Sequence, residues 1–367
     1  MARSKGSPKY QQVFDALAKE IVSGKYKPGQ KLPSETTLIR QFGASRITVS
    51  RAVRELKERG LVERVAGSGT YVRAHVPDEG DSLFGLLIPN LGEMEIFEPI
   101  CQGMAGAPVA SRYGLLWGRS QSTSEDRQQR AMDLCNEFIQ RNVAGVFFAP
   151  LELTSEKDAT NETVLNALDR ARIPVVLLDR SELPFPRRGK HDLVGIDNRR
   201  AGYLAADHLL KAGCRRIVFI GYPNGAPTVQ LRAAGFREAL FDCGVTELGD
   251  WVQLVPAITQ DEVKRVMDSL GPQAFVCVND RTAGPLMHAV LKLGYQIPRD
   301  VRIVGIDDVE YASLLPVPLT TIHQPCREIG QAAVSAMFDR IRRPDMMPRD
   351  ILLDCELVVR ESCGVAM

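Results

Sequence analysis

Apolar residues recur at helical spacing along the first part of the chain. Residues 10–22 place Val13, Phe14, Leu17, Ala18, Ile21 and Val22 on one stripe of a predicted helix. A second helix is predicted to begin after Ser34 and a third after Ser45, with Gly43 in the turn between them. The segment RVAGSGTYV then favours a β-hairpin. The pattern predicts an N-terminal α+β domain, a helix-turn-helix followed by a β-hairpin wing.

The pattern changes after residue 81. Short apolar runs alternate there with amphipathic segments of helical length. The first series of runs is LFGLLIP, GLLWGRS, AGVFFAP and PVVLLD, and the second is LVGID, RRIVFIG, WVQLV, AFVCV and VRIVGID. Such alternation is typical of βαβ units, in which helices cover a parallel sheet. The two series predict a C-terminal α/β region of two Rossmann-like lobes with parallel sheets.

Charge is divided unevenly between these two parts. Residues 1–74 hold 15 Lys and Arg against 6 Asp and Glu, whereas the rest holds 31 against 39, so the net charge of +1 hides a basic head on an acidic body. Neutralisation of phosphates dominates nucleic-acid affinity, so the head has the charge expected of a DNA-binding domain. A basic solvated tail would have similar charge, but it would lack the apolar periodicity.

Several classes of protein are disfavoured by what the sequence lacks. The N-terminus has no apolar signal-peptide core, and no later run is long enough to span a membrane, which predicts a cytoplasmic protein without a membrane partner. The eight cysteines form no CxxC pair, and one in the run AFVCV, Cys277, is expected to be a reduced core thiol. Histidine spacing predicts no metal site. Without a GxGxxG, P-loop or GxSxG motif we expect neither a cofactor nor an enzyme.

The third helix carries the residues best placed to read DNA. The first residues of a recognition helix reach base edges in the major groove. Arg46 is the candidate for a bidentate contact to guanine, and a plain phosphate contact is the alternative. Candidate contacts elsewhere in the head are Ser34, Glu35, Ser45, Thr48, Ser50, Arg51, Gly67 and Ser68. In the wing, Gly67 permits close approach to the DNA backbone and Ser68 can donate to a phosphate.

The head resembles the winged helix-turn-helix of the GntR superfamily. The resemblance covers about residues 8 to 73, through KYQQVFDALAKEIVSGKYKPGQKLPSE and SRITVSRAVRELKERGLVERVAGSGTYV. It implies double-stranded operator DNA as a partner. One departure is Ser50, where many relatives have arginine and this chain has Arg51 beside it. The operator is therefore expected to differ from the family's common one.

Polar residues of the body follow predicted strands. Asp179 and Arg180 follow PVVLL, Asp280 follows AFVCV, Gln324 follows LTTIH, and Arg232 begins the helix RAAGF. Ligands of open α/β sheets lie beyond the carboxyl ends of strands, so these side chains are expected to converge on one cleft. Carboxylates accept and arginines donate hydrogen bonds, which suits a hydroxyl-rich ligand. A surface ion pair or a helix cap is the alternative for each residue alone.

The body resembles the effector domain of LacI/GalR repressors, which has the fold of periplasmic sugar-binding proteins. The resemblance rests on VGIDNRRAGYLAADHLLKAGCRRIVFIG, LRAAGFREAL, VNDRTAGPLMHAV, IPRDVRIVGIDD, PLTTIHQP and LVVRES. It implies ligand contacts from six residues: Phe97, Asp179, Arg180, Arg232, Asp280 and Gln324. Phe97 falls where an aromatic ring stacks on the ligand, with packing at a helix start as the alternative.

The domain boundaries follow from these patterns and resemblances. We expect a winged-helix domain at 1–73, a linker at 74–81 and an effector-binding domain at 82–367. Lobe 1 is expected at about 82–192 and 325–350, and lobe 2 at about 193–324 and 351–367.

The body departs from the LacI/GalR pattern at several points. The linker holds Pro77 and Gly80 in place of a hinge helix, Pro108 should shorten the first helix of the body, and Met94 replaces a residue that is often polar. Arabinose-responsive repressors carry the same fusion of a GntR-like head and a LacI-like body.

Head and body together predict a ligand-responsive repressor. We expect a homodimer on a palindromic operator, with a monosaccharide closing the lobes and changing DNA affinity. A purine-responsive repressor is the alternative, because the arginine, the aspartate and LTTIHQP are shared with purine repressors. A transport binding protein and a sugar- or nucleotide-converting enzyme are the other classes, disfavoured by the basic head and by the missing catalytic motifs. Induction and co-repression both stay open.

Overall fold

The computed structural model describes most of the chain, namely residues 9–22, 25–26, 29–58, 61–65, 68–72, 82–88, 95–108, 110–117, 127–245 and 250–365. The chain divides into two compact units. One comprises Met1–Leu83 with the short segments Ser111–Gly114 and Phe338–Met346, and the other comprises the remaining residues.

The head consists of three helices and a two-stranded sheet. They are α1 (Lys9–Val22), α2 (Glu35–Phe42), α3 (Arg46–Glu58), β1 (Val62–Val65) and β2 (Gly69–Val72). The strands are antiparallel, with Val62 opposite Val72. The core holds the apolar stripes predicted from the sequence, among them Val13, Phe14, Leu17, Leu38, Val49, Ala52 and Leu56. The predicted winged helix-turn-helix is the observed one.

Local chemistry fixes the turn between α2 and α3. Ser34 caps α2 by accepting a hydrogen bond from the Thr37 amide at 3.2 Å. Gly43 ends α2 with φ of 54°, in the left-handed region that favours glycine. Ser45 caps α3, since its hydroxyl oxygen accepts from the Thr48 amide at 3.2 Å. These caps determine where the recognition helix begins.

The first lobe of the body has a six-stranded sheet. The strand order is β13-β7-β6-β5-β3-β4, with β3 (Ser82–Leu87), β4 (Tyr113–Trp117), β5 (Gly145–Phe148), β6 (Val175–Leu178), β7 (Asp192–Ile196) and β13 (Asp350–Leu353). Its helices are α4 (Phe97–Ala105), α5 (Arg127–Gln140), α6 (Lys157–Arg170) and α11 (Cys326–Arg342). The helix α4 ends before Pro108, in agreement with the predicted shortening. Of the described helices, none is both long and apolar enough to cross a membrane.

The second lobe repeats the arrangement. Its strand order is β14-β12-β11-β10-β8-β9, with β8 (Ile217–Gly221), β9 (Val252–Leu254), β10 (Ala274–Cys277), β11 (Arg302–Asp307), β12 (Thr320–His323) and β14 (Glu356–Val358). Its helices are α7 (Asn198–Lys211), α8 (Pro227–Asp242), α9 (Gln260–Leu270) and α10 (Asp280–Lys292). All eight cysteines are free, and Cys277 is buried within β10. The predicted pair of parallel-sheet lobes is confirmed, with β14 as an antiparallel edge.

The chain passes between the lobes a few residues later than the sequence predicts. The strand β7 pairs in parallel with both β6 and β13, so residues 192–196 and 350–353 belong to the first lobe. The boundaries at 192/193 and 350/351 are therefore wrong by about one strand. The reason is that the apolar run LVGI completes the first sheet before the chain crosses. The three described crossovers fall near residue 197, at 324–325 and at 354–355.

Candidate functional site

A groove of about 450 Å³ in the head lies between the recognition helix, the start of α2 and the wing. Four of the residues predicted to contact DNA line it: Ser34, Glu35, Arg46 and Ser68. Lys31 and Arg64 line it as well, so its walls carry three cations against one carboxylate. Such a groove attracts phosphate and admits base edges to a helix terminus.

The first turn of α3 presents two exposed side chains, Arg46 and Ile47. Ile47 is 83% exposed, the largest value among the large apolar side chains described. Sequence reasoning missed Ile47 because the helical pattern gives it no inward role and apolar residues were expected inside. An exposed isoleucine next to Arg46 suits contact with the methyl group of thymine.

The other residues predicted to contact DNA form contacts within the head or are exposed on its surface. Thr48 and Ser45 share a hydroxyl–hydroxyl hydrogen bond of 2.8 Å, and Ser50 is exposed on α3. The Arg51 guanidinium lies 3.8 Å from the centre of the Tyr10 ring, so it packs on α1 and does not line the groove. The Ser68 hydroxyl is 2.6 Å from that of Tyr71. Gly67 lies outside the described residues.

A cavity of about 700 Å³ in the body is lined by both lobes. Of the residues predicted to bind a ligand, Asp179, Arg180 and Arg232 line it, whereas Phe97, Asp280 and Gln324 do not. Lining residues that sequence reasoning did not select include Glu152, Asn224, Thr228, Arg281 and Asp307. Asn279, which follows AFVCV in the sequence, lines the cavity as well. The lining is rich in charged and amide groups, as a polar ligand requires.

Asp179 is a buried acceptor with unused capacity. It follows β6 in the left-handed region, with φ of 66°, and is 5% exposed. Its Oδ1 has no hydrogen-bond partner among the described residues, while its Oδ2 lies 3.6 Å from the Arg180 Nε. Burial raises the pKa of this carboxyl, although Arg180 opposes that shift. A ligand hydroxyl could donate to Oδ1.

Arg180 is held by partners in its own lobe. Its Nη1 forms an ion pair with the Glu152 Oε1, and its guanidinium lies 5.5 Å from the centre of the Phe97 ring. The Phe97 side chain is fully buried. The predicted stacking of Phe97 on a ligand is therefore not what the structure favours, because no face of the ring is open. The ring instead supports Arg180, which faces the cavity.

Arg232 connects three elements of the second lobe. It donates from Nε to the Asn198 side-chain oxygen at 2.8 Å and from Nη1 to the Val278 carbonyl at 2.6 Å. Its Nη2 lies 3.5 Å from the Asp307 Oδ1. The helix α7 approaches α8 so closely that a Cβ on Gly202 would overlap the Arg232 carbonyl oxygen. Because Gly202 has no Cβ, the main chain of Arg232 can lie against α7.

Asp307 is the carboxylate that sequence reasoning missed. It ends β11, lines the cavity and accepts from the Gln324 Nε2 at 2.5 Å. The Gln324 Oε1 is buried without a hydrogen-bond partner among the described residues, so it offers a second unused acceptor beside the cleft. Burial raises the pKa of Asp307 to about 8, and the carboxyls of Asp280 and Asp179 add to the shift while Arg232 opposes it.

Asp280 has a different place from the predicted one. It is fully buried at the start of α10, where its Oδ1 accepts from the Thr321 hydroxyl at 2.6 Å and its Oδ2 from the Val309 amide at 3.1 Å. Neither oxygen faces the cavity lining. Its carboxylate instead ties α10 to the loop after β11 and to β12, and thereby supports Asp307. Direct ligand binding by Asp280 is not what this arrangement favours.

The raised pKa of Asp307 predicts a pH-dependent stability. Folding favours its neutral form, so the stability that this form contributes is present below about pH 4 and is lost as pH rises through about 8. Asparagine at 307 should remove that loss. In Asp307→Asn, the melting temperature relative to the parent is expected to be higher at pH 8.5 than at pH 5, by about 2 °C or more.

Thermal melts of the ligand-free parent and of Asp307→Asn at pH 5 and pH 8.5 measure this difference in melting temperature. The exposed Asp345, changed to asparagine, serves as the control and should show no pH-dependent difference. A change in the Asp307→Asn melting temperature that is equal at both pH values would show that the carboxyl ionises freely when buried.

Two family models match the chain. Residues 9–72 match the gntR family of bacterial regulatory proteins, and residues 206–363 match a periplasmic binding protein-like domain. Both resemblances inferred from sequence motifs are thereby confirmed.

Known proteins resemble either the whole chain or only part of it. The arabinose metabolism transcriptional repressor of Geobacillus stearothermophilus is 29% identical over 373 residues, which cover 98% of this chain and 99% of that protein. The HTH-type transcriptional repressor PurR of Aliivibrio fischeri is 28% identical over 209 residues, 55% of this chain and 61% of PurR. A LacI family transcriptional regulator from Enterococcus faecium, solved with bound ribose, has a TM-score of 0.61 at 24% identity and covers 76% of this chain and 98% of its own. The last similarity supports the fold alone.

Proposed function

The chain carries a DNA-binding domain of the gntR family followed by a periplasmic-binding-protein-like domain, and on this premise we propose that it is a transcriptional repressor controlled by a small sugar. The observation that carries the proposal is the polar cleft of the body, where the unpartnered Oδ1 of Asp179 and the Asp307 carboxyl lie with two buried arginines. The cleft belongs to the same chain as a basic winged helix. Ligand binding in the cleft can therefore be coupled to the DNA affinity of the winged helix.

In the head, we propose that the groove between α3, α2 and the wing receives operator DNA. Arg46 reads guanine through two parallel hydrogen bonds, and Ile47 contacts a thymine methyl. The remaining contacts position the DNA backbone: Ser34, Ser45, Thr48, Ser50, Arg51 and Ser68, together with Gly67 by the sequence resemblance. Glu35 contributes through its main-chain amide at the start of α2, since its carboxylate would be repelled by phosphate. Arg51 is held by Tyr10 and contributes charge more than base contacts.

In the body, the proposed ligand is a monosaccharide. Its hydroxyls donate to Asp179 and Asp307 and accept from Arg180 and Arg232, because these groups line the cleft with unused or charged hydrogen-bonding atoms. Gln324 acts through Asp307, to which its amide donates. Phe97 and Asp280 do not contact the ligand. Phe97 packs against Arg180, and Asp280 holds the loop that follows Asp307. The repressor relative named for arabinose metabolism agrees with this class of ligand.

A purine is the second candidate ligand. The similarity to PurR favours it, although that match covers only 61% of PurR. A planar base needs an aromatic surface, and Tyr222 is the aromatic residue in the described lining, since Phe97 is buried. The sugar is preferred because the unpartnered groups are scattered acceptors that suit several hydroxyls.

The proposed assembly is a homodimer, which places two heads on a palindromic operator in the bacterial cytoplasm. The cleft binds its ligand without converting it. Closing the lobes changes the spacing of the heads. A ligand can shift the equilibrium between the open and closed states only if it binds the two states with different affinities.

A thermal-shift screen of the full chain against pentoses, hexoses, sugar phosphates and purines tests the ligand class. A ligand at a hundredfold excess over its Kd should stabilise the folded chain by about 2.7 kcal/mol. We expect a neutral sugar to raise the melting temperature and to be recovered unchanged. A shift with purines alone would establish the second candidate, and turnover of the ligand would contradict a purely sensory role.

A further inference from the structure

Two hydrogen bonds between described residues join the lobes outside the crossovers. The Leu153 amide donates to the Asn224 carbonyl at 2.7 Å, and the Ala226 amide donates to the Glu152 Oε2 at 3.1 Å. Glu152 and Leu153 follow β5 in the first lobe, whereas Asn224 and Ala226 follow β8 in the second. We call these four residues the cross-lobe latch. Both bonds join groups of the protein itself.

Glu152 completes the cap of a helix in the opposite lobe. The N-cap residue of α8 is Ala226, which offers no side-chain hydrogen bond. In a capping box, a glutamate at the third helical position accepts from the N-cap amide. Val229 occupies that position in α8 and has no acceptor. Glu152 supplies the acceptor from the first lobe, and its negative charge suits the helix N-terminus.

Charge strengthens the same contact. The other carboxylate oxygen of Glu152 pairs with Arg180, and the Arg232 guanidinium of the second lobe attracts it as well. Although burial opposes ionisation, these charges lower the pKa of Glu152, so the latch carries a full negative charge at neutral pH. Arg232 belongs to α8, the helix that Glu152 caps. One carboxylate thus pairs with an arginine of its own lobe and is attracted by an arginine of the other.

The backbone bond of the latch joins two residues in unusual conformations. Leu153 has φ of 62° and Asn224 has φ of 56°, both in the left-handed region. Asparagine tolerates that region, but leucine adopts it rarely. Leucine persists there only where surrounding contacts hold it, and such outliers cluster at clamps and switches. The bond to the opposite lobe is one contact that Leu153 makes in this conformation.

We propose that Glu152 is a positioning residue that stabilises the closed arrangement of the two lobes. It does so by capping α8 across the cleft while pairing with Arg180 of its own lobe. Because the latch consists of protein groups alone, it favours the closed state in the ligand-free chain as well, and bound ligand adds to that stabilisation. The consequence for DNA rests on the proposed function, but the latch itself does not.

Spin-label distances in the ligand-free full chain test the proposal. Cys243 is the exposed cysteine and the other seven are buried, so it takes one label in the second lobe. Glu162→Cys on the exposed side of α6 takes the other in the first lobe. Dilution with unlabelled Cys243→Ser chain removes distances between chains. The parent should give a short distance for the closed state and a longer one for the open state.

Three variants give the expected outcomes. Glu152→Ala should raise the ratio of open to closed chain about tenfold, the effect of losing one charge-assisted hydrogen bond. Glu152→Gln should fall between parent and alanine, because its amide oxygen still accepts from Ala226 but no longer attracts the arginines. Glu156→Ala, at an exposed glutamate of the same lobe, should match the parent.

An unchanged distance distribution in Glu152→Ala would overturn the proposal, as would equal opening in Glu156→Ala. If Glu152→Ala fails to fold by circular dichroism, the near-isosteric Glu152→Gln decides, and a parent-like distribution there overturns the proposal. Neither ligand nor DNA is present, so a negative result leaves the repressor function standing. Conversely, a ligand that fails to alter operator binding leaves the latch result intact.

Discussion

Alanine at Arg46 is expected to weaken operator binding by roughly 5- to 150-fold, the range of one bidentate arginine–guanine contact of about 1–3 kcal/mol. Arg46 begins α3, is exposed and lines the groove between the helix and the wing. Its removal costs no core contact, so the fold should stay intact. Fluorescence anisotropy on an operator recovered by selection from random duplexes measures the loss.

Arg46→Lys separates the two roles that the sequence allows for this residue. Lysine keeps the charge but loses the planar fork that matches guanine. If Arg46 reads a base, the lysine variant should lose both affinity and discrimination at one operator position. If it contacts a phosphate, lysine should bind nearly as well as arginine, with an unchanged salt dependence. Lys57→Ala, at the other end of α3, controls for the loss of one positive charge.

Alanine at Arg232 is expected to lower ligand affinity by roughly 10- to 150-fold, the effect of losing one hydrogen bond to a charged group of about 1.5–3 kcal/mol. Arg232 is 5% exposed and bonds to Asn198, Val278 and Asp307 within the cleft. Its loss leaves the Asp307 carboxyl without its nearest cation. The variant should therefore bind the screened sugar weakly and also melt at a lower temperature.

Calorimetric titration with the sugar found in the screen measures the effect of Arg232→Ala. Arg237→Ala is the matched control, since Arg237 is exposed on the same helix. Asp179→Asn separates binding from stability, because it keeps the side-chain shape while weakening an acceptor whose Oδ1 is unpartnered. Parent-like affinity in both Arg232→Ala and Asp179→Asn would place the ligand outside this cleft.

The head and the sheets were predictable because local patterns decide them. Ser34, Gly43 and Ser45 mark helix ends through capping and a left-handed turn, and the apolar stripe between them has one inward face. The alternation of apolar runs and helices likewise predicted both lobes. The crossovers were less predictable, since the run LVGI fits either sheet and only its pairing with β6 places it.

The binding site was predictable by region but not by residue. Asp280 and Asp307 both follow buried strands, so the rule that strand ends face the cleft could not choose between them. The choice depends on Thr321 and Val309, which occupy both oxygens of Asp280, and these partners are distant in sequence. The burial of Phe97 under Arg180 and the capping of α8 by Glu152 are similarly long-range contacts that no local pattern announces.

Coupling between the cleft and the head is the central claim, and operator affinity with and without ligand tests it most directly. The full-length chain is titrated onto labelled operator at fixed salt, first alone and then with the identified sugar at saturation. A Kd that changes about tenfold or more in the parent, and stays constant in Arg232→Ala, is the predicted result. A sugar that binds the cleft but leaves the operator Kd of the parent unchanged would contradict the claim.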